Sequence, residues 1–270
     1  MRVAAIQMNS GADVAANLQL ADKLLRDAAE DGCVLALLPE NFALMPKRGR
    51  DKAAIAEEPG EGPIQAFLSA ASQRHGLWVI AGSMPLTSPG IAAERVYGAC
   101  PAYDRNGVTQ AIYRKIHLFD VDLAEQQESY RESRSMYPGE ELVTVDAPCG
   151  KIGLTICYDL RFPELFRQLV DAGATLFTVP AAFTAATGAA HWHSLLRARA
   201  IENLAYVVAA GQYGMHPDGR STYGHSLIID PWGRILAEAP HGNCHVAADV
   251  DAALTAKLRS EFPALSNRRL

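Results

Sequence analysis

Short apolar runs alternate along this chain with segments of helical period. Arg2 to Met8, Val34 to Leu38, Leu77 to Ala81, Lys151 to Ile156, Ala174 to Val179, Ala205 to Ala210, Tyr223 to Asp230 and His245 to Val250 read as strands. Between the first two, Val14, Leu18, Ala21, Leu25 and Ala28 recur at helical spacing, with Asp13 placed to cap and Gly32 to stop the helix. Pro63 suits the first turn of a helix reaching His75, with Gly76 beyond its end. Pro163 starts another helix to Ala172, and His191 to Leu204 is a fourth. Asn106-Gly107, between Tyr97–Tyr103 and Val108–Tyr113, marks a β-hairpin. Strand–helix units interrupted by hairpins predict a mixed α/β fold, not a purely doubly wound one. Residues 117–140 are polar and irregular, and a connection that long inside a compact domain points to function. Repeats, linkers and composition breaks are missing from the sequence, so residues 1–270 are predicted to form one domain.

Composition narrows the function classes. Apolar residues make up 49% and charged residues 20%, ordinary values for a soluble globular protein. A net charge of −5 gives no footprint for nucleic acid or for an anionic membrane surface. The first residues lack a signal-peptide pattern and no run is long enough to span a bilayer, so a cytoplasmic location is expected. The five cysteines are widely spaced, with no Cys-x-x-Cys pair, which argues against a disulfide framework or a structural zinc site of that kind. In a reducing compartment these thiols stay free for chemistry.

Of these, Cys157 has the most telling position. The apolar run Lys151 to Ile156 stops there, and the helix-starting segment Tyr158-Asp159-Leu160-Arg161-Phe162-Pro163-Glu164 follows. A sharp strand-to-helix turn presents a side chain at the sheet edge beside free backbone N–H groups. Such an environment is expected to lower the thiol pKa. A lone cysteine is more often a small buried hydrophobe, so Cys157 needs partners. Glu40 ends the run Val34 to Leu38 after Pro39, where desolvation would raise its pKa toward that of a general base. Lys115 follows the hairpin and offers an ammonium for an oxyanion. Glu132 falls in the long polar segment. Taken singly, each of the three charged residues reads as a solvated surface group.

Together they read differently. Leu-Pro-Glu at 38–40, Arg-Lys-Ile-His at 114–117, Glu132-Ser133 and Cys-Tyr-Asp-Leu-Arg-Phe-Pro-Glu at 157–164 stand in one order. Pro180-Ala181-Ala182-Phe183, Thr187-Gly188, His191-Trp192, Tyr223-Gly224-His225-Ser226 and Asp230-Pro231-Trp232-Gly233 continue the pattern. The whole resembles the nitrilase, or carbon–nitrogen hydrolase, superfamily. Within it the chain looks most like amidases acting on deaminated glutathione, then like omega-amidases acting on 2-oxoglutaramate. Tyr158-Asp159 stands where nitrilases proper usually have Trp-Glu. Relatives commonly read Gly-Pro-Ala-His-Trp-Glu where this chain has Gly188-Ala189-Ala190-His191-Trp192-His193, which weakens any transfer of substrate.

The resemblance implies a four-layer α-β-β-α sandwich, a homodimer or larger homo-oligomer, a small amide as substrate, and no cofactor. It implies Cys157 as nucleophile, Glu40 as general base, Lys115 and the Tyr158 backbone N–H as oxyanion donors, and Glu132 as an orienting group. Phe183, Thr184 and Thr187 are expected at the substrate pocket. His191 and His193 suggest a metal, but residues i and i+2 on a helix do not face each other and no completing cluster stands out, so no metal is expected. Arg197 and Arg199 read as structural before substrate-binding, as does the group Asp159, Arg161 and Glu164. Two other readings keep the fold: a catalytically silent binding subunit, or an acyltransferase in which an amine replaces water.

Overall fold

The structure, a computed structural model, describes residues 1–88, 90, 94–123 and 128–269. Its strands are β1 (Arg2–Gln7), β2 (Leu35–Leu37), β3 (Trp78–Ile80), β4 (Met84–Leu86), β5 (Val96–Tyr103), β6 (Thr109–Arg114), β7 (Asp120–Leu123), β8 (Glu128–Arg131) and β9 (Met136–Tyr137). They continue with β10 (Thr144–Ala147), β11 (Gly150–Leu154), β12 (Leu176–Ala181), β13 (Tyr206–Gly211), β14 (Tyr213–Met215), β15 (Ser221–Tyr223), β16 (Leu227–Ile229), β17 (Ile235–Glu238) and β18 (Cys244–Asp249). The helices are α1 (Val14–Glu30), α2 (Pro63–His75), α3 (Pro163–Asp171), α4 (Ala185–Asn203) and α5 (Ala252–Glu261). None of the described helices is long and apolar enough to cross a membrane.

Two sheets carry the fold. One runs β18-β1-β2-β3-β5-β4, with β6 and β9 also on β5; the other runs β10-β11-β12-β13-β16-β17. Their central strands are parallel: β1 with β2, β2 with β3, β11 with β12, and β12 with β13. Strand alternation explains the layering. Val3, Ala5, Leu35, Leu37 and Ile80 join the core shared with the second sheet, against which β1 and β2 pack. The intervening Ala4, Ile6, Ala36 and Val79 join Leu24 and Leu25 of α1 and Ile64 and Leu68 of α2. Leu165, Phe166 and Leu169 of α3 and Trp192 and Leu196 of α4 cover the far side of the second sheet. The result is the α-β-β-α sandwich, and the parallel strands β2, β11 and β12 direct their carboxyl ends toward the same region.

Several boundaries depart from the sequence reading for local reasons. The fourth helix starts at Ala185, not His191, because the Thr184 side chain caps it by accepting from the Thr187 N–H at 3.3 Å. The run 223–230 is two strands, broken at Gly224 and His225, both of positive φ. Residues 117–140 are not simply irregular: β7 and β8 form a hairpin there, followed by a 3-10 turn over Glu132–Arg134 and by β9, while residues 124–127 lie outside the described residues. Helix α5, capped by Asp251, gave no signal in the sequence reading. One glycine matters for the site. Gly82 has φ +63°, and a Cβ there would run into the Pro39 and Leu38 carbonyls, so only glycine lets the chain pass behind the end of β2.

Candidate active site

Four polar side chains converge where β2, β6 and β11 end. Glu40 leaves β2 after Leu38-Pro39 and is 5% exposed. Its backbone is held by the Gln212 Nε2, which donates to the Glu40 carbonyl at 3.0 Å. Lys115 follows β6 and is 2% exposed. Its N–H donates to the Gly98 carbonyl at 2.9 Å, and its carbonyl accepts from the Gly139 N–H at 2.7 Å. Glu132 opens the 3-10 turn after β8. Cys157 begins a 3-10 turn after β11 with φ +48°, a strained value for a residue with a side chain. Asp159 pins this turn: one carboxylate oxygen accepts from the Ile156 N–H at 2.8 Å and from Tyr113 Oη at 2.7 Å, the other from the His117 N–H at 3.1 Å.

Lys115 ties the group together. Its Nζ donates to Glu40 Oε1 at 2.8 Å and to Glu132 Oε2 at 2.9 Å and Oε1 at 3.1 Å. The other Glu40 oxygen accepts from the Ala182 N–H at 2.8 Å, at the end of β12. Glu132 also accepts from the Phe119 N–H at 2.7 Å. The Cys157 thiol lies within the electrostatic reach of Glu40 and Lys115, which shift its pKa in opposite directions. Structure thus brings Glu40, Lys115, Glu132 and Cys157 into one buried network.

The charge states differ from the sequence expectation. Burial pushes the Glu40 carboxyl up, but the Lys115 ammonium outweighs it and holds the group below the usual glutamate range. Burial, reinforced by the Glu40 charge, pushes the Cys157 thiol well up, and Lys115 offsets this only in part. Lys115 is desolvated too, yet Glu132 and Glu40 raise it well above an ordinary lysine. At neutral pH the network is therefore a carboxylate, an ammonium and a neutral thiol. A low thiol pKa does not set Cys157 apart; its partners do. Cys33 and Cys149 are pushed to about 11 and Cys100 to about 12, in each case chiefly by burial.

Above the network opens a cleft of about 340 Å³. Phe183, Thr184 and Thr187 line it, as does Tyr158, whose place in the first turn leaves its N–H without an intrahelical acceptor. The segment 117–140, expected to contribute to the pocket, supplies Phe119, Tyr130 and Arg131, while sequence reasoning missed the cations Lys47, Arg48, Lys52, Arg161 and Arg220, which share the wall with Asp218. The basic cluster at 47–52 was a visible signal. Arg161, read as structural, lies in the wall with its guanidinium 5.2 Å over the Phe183 ring. Arg197 and Arg199 do stay structural, donating to the Gly233 carbonyl at 2.9 Å and, from the Arg199 Nη2, to the Leu160 carbonyl at 2.8 Å. Lys52 is buried with no ion-pair partner among the described residues, and desolvation lowers its pKa against the attraction of Glu132 and Glu40.

The carbon–nitrogen hydrolase family profile matches residues 2–260, and the chain belongs to that family: it is an amidase of the nitrilase superfamily. Among particular proteins, it is 38% identical over 267 residues to the deaminated glutathione amidase of Yersinia enterocolitica, covering 99% of this chain and 92% of that one. It is 40% identical over 268 residues to the enzyme of the same name from Synechocystis, covering 98% and 97%. Among solved structures, Nit3 of Saccharomyces cerevisiae, a member of branch 10 of the nitrilase superfamily, superposes with a TM-score of 0.88 at 31% identity, covering 100% of this chain and 97% of that one.

Proposed function

We propose that this amidase hydrolyses a carboxylate-bearing linear carboxamide, deaminated glutathione above others, through a thioester on Cys157. The observation that carries the substrate class is Lys52, a buried lysine on a cleft lined by several cations, with no ion-pair partner among the described residues. An unpaired buried charge is costly, and a substrate carboxylate would satisfy it. The names of the relatives agree with this reading.

The chemistry starts from the charge states above. Glu40, already ionised, accepts the thiol proton as Cys157 attacks the amide carbon. Lys115 and the Tyr158 N–H stabilise the oxyanion, each such donor being worth ~10²–10³ in rate. Glu40 returns the proton to the leaving nitrogen, the C–N bond breaks, and ammonia departs. A water, deprotonated by Glu40, then hydrolyses the thioester to the acid and restores the thiol. Glu132 keeps Lys115 charged and aimed. Dividing the roles lets each group hold the protonation state its task needs.

The direct test is ammonia release with deaminated glutathione and 2-oxoglutaramate side by side. A higher kcat/KM on the first supports the reading; preference for the second moves the chain to omega-amidase activity with the same network. Lys52→Met is expected to raise KM for the anionic amide by ~10–100-fold with kcat much less changed, the loss of one hydrogen bond to a charged group. An unchanged KM would remove Lys52 from substrate recognition. The pH profile tests the base. Protonating Glu40 removes it, and its pKa is lowered, so kcat/KM should fall only as pH drops below the usual glutamate range. An acid limb at neutral pH would point to another base.

A further inference from the structure

Away from the cleft, three ligand-type side chains from distant parts of the chain meet at one point. His193 lies on α4, His225 in the break between β15 and β16, and Glu238 at the end of β17. His193 Nε2 is 2.9 Å and His225 Nδ1 2.7 Å from the same oxygen, Glu238 Oε1. The three ligand atoms lie within 4.8 Å of one another. Each side chain is about one-third exposed, so an ion from solution can reach them. The imidazoles do not stack on each other: their centroids are 5.5 Å apart with planes at 70°. The His241 ring stands next to them, 6.3 Å from that of His225.

The surroundings fix these groups before any ion arrives. His225 has φ +52°, a conformation non-glycine residues adopt at a cost, and it interrupts what the sequence reads as one continuous strand. Its carbonyl accepts from Trp192 Nε1 at 2.8 Å, and Trp192, fully buried, is the chain neighbour of His193. One buried indole therefore ties the His225 backbone to the helix turn that carries His193. Tyr223 stacks on the His225 ring at 4.3 Å. Burial opposes ionisation of Glu238, but the two imidazoles outweigh it and keep the carboxyl below its usual range.

We propose that His193, His225 and Glu238 form a site for a divalent ion of the zinc class, with water or His241 completing the sphere. Two imidazoles and a carboxylate suit zinc, whereas calcium and magnesium favour all-oxygen sets. With ligand bonds of ~2.0–2.1 Å, the edges of a tetrahedral site are roughly 3.3 Å. The two contacts to Glu238 Oε1, 2.9 and 2.7 Å, would open by about half an ångström to admit the ion, while the two imidazole nitrogens lie within 4.8 Å of each other. The sequence reading weighed His193 with His191 and expected no metal; in the fold the ligand-type groups beside His193 come instead from the strand break and from β17. Thr184 and Thr187 of the cleft sit at the start of the same helix, and Thr184 bridges to Thr222 of β15. An ion here would clasp α4 to the segment that follows β15, a structural role outside the reaction.

The test uses chelator-treated full-length protein titrated with zinc by calorimetry, with thermal unfolding in parallel. One zinc per chain is expected, together with a Tm that rises with zinc concentration. His193→Gln, His225→Gln and Glu238→Gln should each weaken binding at least ~10-fold. Glutamine keeps a polar partner at each position, and circular dichroism of the metal-free variants checks folding. His191→Gln, which contacts Arg161 instead, should leave binding unchanged. Undetectable binding, binding that survives all three substitutions, or binding lost only in Cys157→Ala overturns the site.

Discussion

Replacing Cys157 with alanine is expected to lower ammonia release by on the order of 10⁶-fold while the protein stays folded. The size of the effect follows from the proposed thioester: without Sγ there is no covalent intermediate, and Glu40 and the oxyanion donors are left to promote direct attack of water on the much less reactive amide. The small effect on the fold follows from charge. The Cys157 thiol is neutral at rest, since burial and Glu40 push its pKa well up, so its removal leaves no orphan ion. Glu40 keeps both Lys115 at 2.8 Å and the Ala182 N–H at 2.8 Å. A stability loss of about 1 kcal/mol and a Tm shift of a few degrees are expected. Turnover near wild type in Cys157→Ala would sink the nucleophile assignment, whatever the substrate. If neither protein turned over any amide, the silent-subunit reading would be supported instead.

Lys115→Met should damage both activity and fold. Lys115 is 2% exposed and holds two carboxylates. Without it the buried Glu40 and the partly exposed Glu132 lose their shared counter-ion and keep only one backbone N–H each, and breaking a buried ion pair costs about 3–5 kcal/mol. Burial then acts on Glu40 against only the weaker pull of Lys52 and the Cys157 thiol, so its pKa rises. The base is protonated over more of the pH range, and the acid limb of kcat/KM moves upward. The lost oxyanion donor adds ~10²–10³ in rate. Denaturant unfolding and pH-dependent kinetics on the same variant separate the two losses. Combining Lys115→Met with Glu132→Gln removes one of the two orphaned charges and should recover part of the stability, but none of the rate. Recovery of activity in the double variant would mean Lys115 serves only to neutralise Glu132.

The legible part of this site was the part written in local signals. Cys157 and Glu40 stand where apolar runs end, and a strand end of a layered α/β fold is a surface edge by geometry. Lys115 follows a hairpin that the Asn106-Gly107 turn announces. The strand break at His225 was not legible, because Gly224 gave the only hint and the φ of His225 is imposed by packing beneath it. The cationic wall was half legible: residues 47–52 are visibly basic, whereas Arg161 and Arg220 reach the same cleft from distant segments. The pKa directions were read with the wrong sign, for two different reasons. For Glu40 only desolvation was weighed, whereas Lys115 sits 2.8 Å away and reverses the outcome. For Cys157 only the backbone N–H groups were weighed, whereas burial and the Glu40 charge push the thiol up.

The sequence by itself determined the alternation that builds the two sheets, the strand ends that carry Cys157 and Glu40, and the family to which the chain belongs. These depend on periodicity and on residues close along the chain. Tertiary structure alone decided which charges meet. Lys115 joins a glutamate 75 residues before it and another 17 after it, and His193 meets a glutamate 45 residues away. A charge buried at the end of a strand has no preferred state of its own: the dielectric around it and the ions within about 3 Å set that state, and both exist only once the sheets have packed.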